Sequence, residues 1–597
     1  KYWWKSDKGS EGRIYEKVFN VIRFIAANQN YRELDNLRHL RLYGNLNILG
    51  VSAWQYSRAG ADFSRTNRVT YNIIKSMCDT LQAKICKNKP RPLFLTLGGD
   101  FALKQKAKKL TKFISGVFDE MDLYEIGQQV FLDCMVFDIG VCKFYTEDSR
   151  IRCERVFPDE LKVDDVESTY GAPKTMYQTK YVIRDVLIEM FPEFKDQIER
   201  AQVNKVKYSS STASDCDMVQ VNEAWHLASG PDAKDGRHVI CIDNVDLLDE
   251  DWTSKTFPFC FMRWSNRLRG FYGQGLAEQT IGIQIEINKL LRTIQTSMHL
   301  CSVPRFWIEN GSKGVKQHLN NEIGNLCTYT GTRPLLDNSN AVPTELFSHL
   351  DTLTQRAFQM AGISELSAQS KKPAGLDSGV ALREYNDIET ERFVMTGMQY
   401  EKFYIDAAKL CIEKAKELAK QDSGFKVLAK DKRHIEEINW ADVNIDENKY
   451  LMQIFPTSML PHTPAGKLQQ VQEMLQAGFI GRDEGIRLLD FPDLESALSD
   501  ITASAEDIEM TIEKILDKGE YYAPESYQDL ELGIKKFQSA YLRSKIDGVP
   551  EEKLELMRRW MEEADTAIDS LQQPEMPAMG SQPPRLGEPP LGRPQLP

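Results

Sequence analysis

A pair of adjacent lysines is the feature of this sequence best suited to touching a phosphate backbone. Lys371 and Lys372 lie in the segment "SELSAQSKKPAGLDSG", between two predicted helices. The small and polar residues around the pair, including Gln369 and Ser370, indicate a loop built to move. An exposed lysine pair that stands alone usually does no more than keep a loop hydrated. Around a shared axis, however, copies of the pair would form positive rings whose attraction is screened within about 8 Å at physiological salt.

An acidic cluster offers a different chemistry. Asp164, Asp165 and Glu167 follow one another in "KVDDVE". Carboxylates of this kind can hold magnesium, so one hypothesis is a metal-dependent nucleic-acid-processing enzyme in which Asp164 and Asp165 act with a distant partner. The cluster lacks the ligand spacing of a calcium loop, and a solvated turn after a hairpin is the simpler interpretation.

Sequence motifs for catalysis are absent elsewhere in the chain. There is no glycine-rich phosphate loop of the GxxxxGK[ST] type, no HExxH pair and no GxSxG elbow. We therefore expect a protein that is not an enzyme and that uses neither a metal nor a cofactor.

A predicted helix that begins at Leu276 carries polar residues within an apolar stripe. Apolar positions follow steps of three and four from Leu276 to Met298. Gln284 and Asn288 are one turn apart, so they share a face and are placed to hydrogen-bond a neighbouring element. Ile287 belongs to the apolar stripe.

Three consecutive aromatic residues, Tyr2, Trp3 and Trp4, stand near the start of the sequence. They suit either a docking patch for a partner or packing on the chain's own surface, and the sequence favours neither. The first residue is a lysine and no secretory signal follows, so we expect the natural start of the protein to lie upstream.

Composition narrows the class of protein. The 597 residues carry a formal net charge of -12, which argues against a protein that coats nucleic acid but suits one past which nucleic acid slides. The 11 cysteines contain no CxxC pair, so a reducing compartment is expected. No run approaches the roughly 20 apolar residues that a membrane span requires, so no membrane partner is expected.

The order of predicted elements indicates an α+β fold. Helical spacing covers residues 11–44, ending at Gly44 as a left-handed cap, then residues 69–85 and about 101–137. Alternating segments Val141–Tyr145 and Ile151–Val156 predict a hairpin. Further strands are expected near 175–181, 218–228, 237–246 and 257–264.

The second half of the sequence predicts an elongated subunit. After the helix from Leu276, residues 305–342 indicate a small insert of strands and turns, and a shorter helix should end at Gly362. The helix that follows the lysine loop reaches about Lys420 and would be roughly 60 Å long. A helix of this length does not fit inside one compact domain, so we expect it to pack against other copies of the chain.

These features together resemble the portal proteins of tailed double-stranded DNA bacteriophages. The resemblance rests on "NRVTYNIIKSMCDTLQAKICKNKPRP", on the hairpin leading into "FPDELKVDD", on "FPFCFMRWSNRLRGFYGQGLAEQTIGIQIEIN" and on "AGISELSAQSKKPAGLDSGVALREYNDIETERF". The four segments span most of residues 67 to 420 in matching order.

The resemblance implies a division of the chain into the parts of a portal subunit. These parts are a wing with N-terminal helices (1–265), a first stem helix (266–302), a clip (303–342), a second stem helix (343–363), a tunnel loop (364–377), a long wing helix (378–430), a wing return segment (431–463), a helical crown (464–572) and a flexible Pro- and Gly-rich tail (573–597).

The resemblance also implies the site residues. Gln369, Ser370, Lys371 and Lys372 would line the channel; Lys313, Lys316 and Arg333 would dock partners at the clip; Gln284, Ile287 and Asn288 would lie in the stem interface between copies.

The implied assembly is a dodecameric ring at one capsid vertex of the virion, built in the host cytoplasm, through which double-stranded DNA is packaged and ejected. DNA would be contacted non-specifically. The implied protein partners are the terminase motor, head-completion or adaptor proteins, and the major capsid and scaffolding proteins.

Overall fold

The structure is a computed structural model of the chain. It describes residues 2–6, 13–44, 70–87, 89–96, 101–202, 217–302, 305–307, 310, 313–314, 329–331, 335–337, 343–363, 393–421, 424–430, 435–445, 450–455, 471–479, 492–525 and 527–572. The chain forms two compact units. The first comprises Lys1–Phe94, Lys108–Asn444 and Met452–Thr457, and the second comprises Leu95–Ala107, Ile445–Leu451 and Ser458–Pro597.

Helices make up most of the described structure. They are α1 (Ile14–Asn28), α2 (Asn30–Tyr43), α3 (Ile73–Ile85), α4 (Phe101–Glu120), α5 (Leu123–Val136), α6 (Asp165–Tyr170), α7 (Arg184–Met190), α8 (Lys195–Arg200), α9 (Leu276–Ser302), α10 (Thr344–Ala361), α11 (Val394–Gln421), α12 (Trp440–Val443), α13 (Pro492–Lys518), α14 (Leu530–Ile546) and α15 (Glu551–Gln572). No helix in the described ranges is both long and apolar enough to cross a membrane.

The strands form several small sheets. They are β1 (Arg91–Thr96), β2 (Gly140–Glu147), β3 (Arg150–Val156), β4 (Leu161–Lys162), β5 (Thr175–Ile183), β6 (Met218–His226), β7 (Arg237–Cys241), β8 (Asp246–Asp251), β9 (Phe259–Met262), β10 (Ser265–Asn266), β11 (Gly273–Gln274), β12 (Arg305–Trp307), β13 (Lys313–Gly314), β14 (Tyr329–Thr330), β15 (Leu335–Asp337), β16 (Lys426–Lys430), β17 (Ile435–Asn439) and β18 (Tyr450–Phe455). Strands β4 to β8 form one sheet in sequence order, and β2 lies between β3 and β9 in another.

The predicted α+β class is confirmed. The predicted hairpin is β2–β3, in which Val141 lies opposite Val156. The strands expected near 175–181, 218–228 and 257–264 are β5, β6 and β9. The insert between α9 and α10 contains two antiparallel strand pairs, β12 with β15 and β13 with β14.

Four boundaries differ from the prediction. Helix α2 ends at Tyr43, and the residue that follows it, Gly44, has a φ of -75°, so the expected left-handed cap is wrong there. The helical stretch after residue 101 is broken at Asp122, which adopts a left-handed φ of 50° between α4 and α5. Residues 237–246 form a strand and the turn that reverses the chain into β8. Residues 426–430, expected to be helical, form β16.

Strand β16 replaces the end of the expected long helix because its side chains alternate. Val427 and Ala429 are buried, whereas Leu428 is exposed, and this period of two matches a strand with one covered face. The strand pairs with β17 from Lys426 opposite Asn439 to Lys430 opposite Ile435. The expected start of that helix, before residue 393, lies outside the described residues.

The core of the first unit lies on both faces of the five-stranded sheet. Helix α1 covers one face through Val18, which packs with Tyr177 and Val239. On the other side Trp225 packs with Phe259 of the three-stranded sheet. Helix α5 lies against β2, α3 and α9, so the base of the first predicted stem helix is built on this core.

The second unit contains helices α13, α14 and α15, which share an apolar core. The rings of Phe537 and Trp560 stack with centroids 3.8 Å apart. Gly533 lies beside Trp560, since a Cβ atom at this position would be 2.6 Å from the indole ring. These three helices lie within residues 464–572, the region expected to be helical.

Candidate functional site

The apolar stripe of α9 faces the interior of the chain. Its buried members, spaced three, four or seven residues apart after the first pair, are Leu276, Ala277, Thr280, Gln284, Ile287 and Ile294. Helix α9 contacts α2, α3, α5 and α10. With 27 residues it is about 40 Å long.

Gln284 joins α9 to the start of α3. Its Oε1 atom accepts hydrogen bonds from the backbone N–H groups of Ile73, at 2.8 Å, and Ile74, at 3.3 Å. Its Nε2 atom donates to the backbone oxygen of Tyr71 at 2.7 Å and to Asn288 Oδ1 at 3.2 Å. The first N–H groups of a helix have no partner within it, so Gln284 satisfies two donors of α3. The predicted hydrogen bond to a neighbouring element is confirmed.

The expected role of these residues between copies needs correction. Gln284 and Ile287 are buried within a single chain. A side chain already covered by its own chain presents no surface to another copy, so a contact with a neighbour must use other faces of α9. Asn288, which is half-buried, accepts its bond from Gln284.

Helix α10 packs against α9 and is buried only near its end. Ala357, Phe358 and Ala361 are its buried residues. By contrast, Phe347 in the first turn of α10 is 42% exposed, and Met298 near the end of α9 is 54% exposed. The two helices therefore form a hairpin with exposed apolar side chains on its outer surface.

Helix α10 ends as its sequence predicts. Gly362 adopts a left-handed φ of 75°, and its backbone N–H donates to the oxygens of Phe358 and Gln359. Glycine reaches this conformation without the strain that a Cβ atom would add.

The predicted clip residues are only partly described. Lys313 lies in β13, opposite Thr330 of β14. Lys316 and Arg333 lie outside the described residues.

The predicted channel residues Gln369, Ser370, Lys371 and Lys372 also lie outside the described residues, which resume at Phe393. On the far side of that segment, α11 begins with three exposed apolar residues, Val394, Met395 and Met398.

The acidic cluster has structural partners. Asp164 Oδ1 accepts from the N–H of Val166 at 2.9 Å and caps α6. Asp165 Oδ1 accepts from the N–H of Phe271 at 3.2 Å. Through its two carboxylate oxygens, Glu167 accepts from the N–H of Lys174 and the hydroxyl of Thr175. Within the described ranges, no group of three or more His, Cys, Asp or Glu residues is arranged to hold a metal ion.

The aromatic residues near the start pack on the chain's own surface. Trp3 is buried, and its Nε1 atom donates to the hydroxyl of Tyr177 at 2.9 Å. Trp4 stacks on His226 with ring centroids 4.2 Å apart. Of the two interpretations of this cluster, packing within the chain is the one observed.

A buried charged cluster in the sheet was missed by the sequence analysis. His238 lies between Glu223, 2.9 Å from its Nε2 atom, and Glu250, 2.7 Å from its Nδ1 atom. Burial lowers the pKa of His238, but the two carboxylates outweigh it and raise the pKa above its ordinary value. For Glu223 the signs are reversed: burial raises the pKa of its carboxyl group. Lys143 and His238 outweigh burial, so the pKa of Glu223 lies below its ordinary value.

Comparison with known protein families finds no family model that matches this chain, and comparison with curated proteins finds no similar sequence. The described site is a helical hairpin, α9 and α10, that rests on an α+β core and has two short strand pairs in the segment between its helices.

Proposed function

We propose that the chain is a subunit of a viral portal, a ring-shaped channel for double-stranded DNA at one capsid vertex. The observation that carries the proposal is the helical hairpin: two packed helices, α9 and α10, separated by a segment that contains two antiparallel strand pairs. The resemblance assigns these elements to the stem and the clip. The α+β core before them and the helices after them occur in the order that the resemblance implies.

The outer surface of the hairpin supports assembly with other copies. Phe347 and Met298 expose a large part of their apolar side chains, and the next copy in the proposed ring would cover them. In a closed ring, one surface of each copy meets a different surface of the next, so both sides of the hairpin would be used.

The charge of the chain supports conduction of DNA. A net charge of -12 repels a duplex, which keeps it from binding along the channel wall. Lys371 and Lys372 would then supply a few weak phosphate contacts at the narrowest point. The DNA would be held in transit without being locked.

The segment between α9 and α10 is the proposed docking surface for the packaging motor and, later, for the head-completion proteins. Within this segment, Lys313, Lys316 and Arg333 are the residues proposed to contact acidic surfaces of the partners. Chemical work would belong to the separate motor, so the chain itself needs no catalytic residue.

Sedimentation of the purified chain tests the proposal. We expect a single large species whose mass is a multiple of 68.4 kDa, and we expect no cleavage of plasmid DNA when magnesium is added. A monomer at micromolar concentration would contradict the proposal. Magnesium-dependent cleavage that is lost in Asp164→Asn and Asp165→Asn variants would support the enzyme hypothesis instead.

A further inference from the structure

A cavity in the first unit is lined by charges of both signs. It lies between α2, α6, the turn that joins β10 to β11 and the first turn of α9, and its volume is about 480 Å³. Cavities of this size bind small molecules. Among the described residues, four carboxylates and three guanidiniums line it. The lining charges nearly cancel, so the cavity suits a ligand whose own net charge is close to zero.

Most of these charges are already paired within the chain. Arg32 pairs with Asp138, and Arg267 pairs with Glu278 at 2.6 Å. Asp35 pairs with an arginine of its own helix at 2.9 Å. One charge of each sign is left over.

The two remaining charges are those of Asp165 and Arg269. Neither residue forms an ion pair within the described part of the chain. Asp165 is held by its Oδ1 atom, which accepts from the N–H of Phe271 at 3.2 Å. Gly270, which follows Arg269, lies close to the same carboxylate, since a Cβ atom at Gly270 would be 3.1 Å from Asp165 Oδ1. The unpaired cation and the unpaired anion therefore belong to adjacent walls of the cavity.

A buried histidine in the same cavity has no hydrogen-bond partner. His39 is only 4% exposed, and neither of its ring nitrogens bonds to a described residue. Its Nδ1 atom is fully buried, so Nε2 is the nitrogen left to meet a ligand. Burial lowers the pKa of His39 against the opposite effect of Asp35 and Asp138, so the ring is neutral at pH 7. A neutral imidazole offers a donor on one nitrogen and an acceptor on the other.

We propose that this cavity binds a small zwitterion of the α-amino acid class. Arg269 donates to the carboxylate of the ligand, Asp165 accepts from its ammonium group, and His39 forms a hydrogen bond with a polar atom of the ligand through Nε2. The site does not depend on the proposed ring, because every residue in it belongs to one copy of the chain.

The same charges argue against other classes of ligand. A phosphate would bring up to two negative charges into a cavity that already holds four carboxylates. A simple amine would leave Arg269 without a partner, and a simple carboxylate would leave Asp165 without one. A ligand that carries both charges satisfies both residues.

Ligand-observed NMR of the full chain tests the ligand class. Pools of the common amino acids with uncharged side chains identify the best binder, which is then compared with its N-acetyl and its carboxamide derivatives. We expect saturation transfer to the amino acid and about tenfold weaker binding of each derivative, because each lacks one of the two charges. Failure of every amino acid to bind, or equal binding of the three forms, would overturn the inference.

Amino-acid substitutions test whether the ligand lies in this cavity. Arg269→Gln and Asp165→Asn each remove one charge, and His39→Phe removes both ring nitrogens, so each should weaken binding about tenfold. Arg200→Gln and Asp185→Asn, at exposed positions outside the cavity, are the matched controls and should bind as the parent does. Circular dichroism checks that each variant is folded. Unchanged affinity in the folded cavity variants would place the ligand elsewhere and overturn the inference, whatever the result for the ring.

Discussion

At the scale of single residues, Gln284 shows how one polar side chain fixes two elements. It is buried in α9 and satisfies the first N–H groups of α3. Its hydrogen bond to a neighbour was predictable from its place in an apolar stripe. Its partners were not, because more than 200 residues separate them in sequence and a single sequence carries no record of such pairs.

Replacement of Gln284 should therefore weaken the first unit. Gln284→Ala leaves two buried donors without an acceptor, which costs about 1–3 kcal/mol. Thermal unfolding should show a midpoint lowered by a few degrees. Gln279→Ala, at an exposed position of the same helix, is the control and should change the midpoint little. Equal midpoints for the two variants would contradict the capping role.

The cluster around His238 predicts a pH dependence with a definite sign. Glu223 and Glu250 raise the folded-state pKa of His238, so its protonated form stabilises the fold below the unfolded pKa, about 6.5. This contribution is lost as the pH rises through the raised pKa. The difference in melting temperature between the parent and His238→Gln should shrink from pH 6 to pH 9. A difference that grew over this range would contradict the assignment.

At the scale of elements, periodicity predicted the helices and strands that have one covered face. Hairpin β2–β3, helix α10 with Gly362, and the strand pairs of the insert follow the sequence pattern. The helical stripe was predicted to reach about Lys420, and α11 ends at Gln421. The extension of this helix to residue 430 came from the resemblance alone, and residues 426–430 form β16 instead. The break at Asp122 was missed because a left-handed aspartate leaves no sign in the apolar spacing.

Close packing of α14 predicts a penalty for one added methyl group. Gly533→Ala would place its Cβ 2.6 Å from the ring of Trp560, and such overpacking costs about 1–3 kcal/mol. Calorimetry should show a lowered midpoint. At Gly282 in α9 a Cβ meets nothing, so Gly282→Ala should be neutral or slightly stabilising. If Gly282→Ala lowered the midpoint more than Gly533→Ala, the helices of the second unit would have to pack differently.

The helical hairpin permits a contrast between two charged substitutions. Ile287→Asp buries an unpaired charge inside the chain and should cost several kcal/mol, giving misfolded protein. Phe347→Asp lies on the outer surface, so we expect a folded chain that fails to assemble. Light scattering and circular dichroism distinguish the two results. If the Phe347→Asp variant formed normal rings, this face of the hairpin would not be part of the interface between copies.

At the scale of the whole molecule, the α+β class and the helices of the second unit were predictable from the sequence. Assembly is harder to predict, because it would depend on contacts between many copies of the chain. The described hairpin leaves apolar surface on its outside, and the proposed ring would cover it. In the proposed ring the lysine pair would acquire its function, because weak contacts from single copies become useful when they are repeated around an axis.

The lysine pair should affect DNA without affecting assembly. Lys371→Ala combined with Lys372→Ala removes the positive charge while leaving the helices intact, so we expect rings of normal mass. Packaging or retention of the genome should fall in a complementation assay. Alanine substitution of the exposed pair Lys108 and Lys109 serves as a control for loss of charge alone. Unchanged packaging and retention would count against a channel role.

Electron microscopy of the purified chain tests the central claim most directly. We predict closed rings with an axial hole, in which residues 364–377 of every copy line the narrowest part of that hole. Particles without a hole, or a map that places residues 364–377 on the outer flank, would contradict the proposed channel.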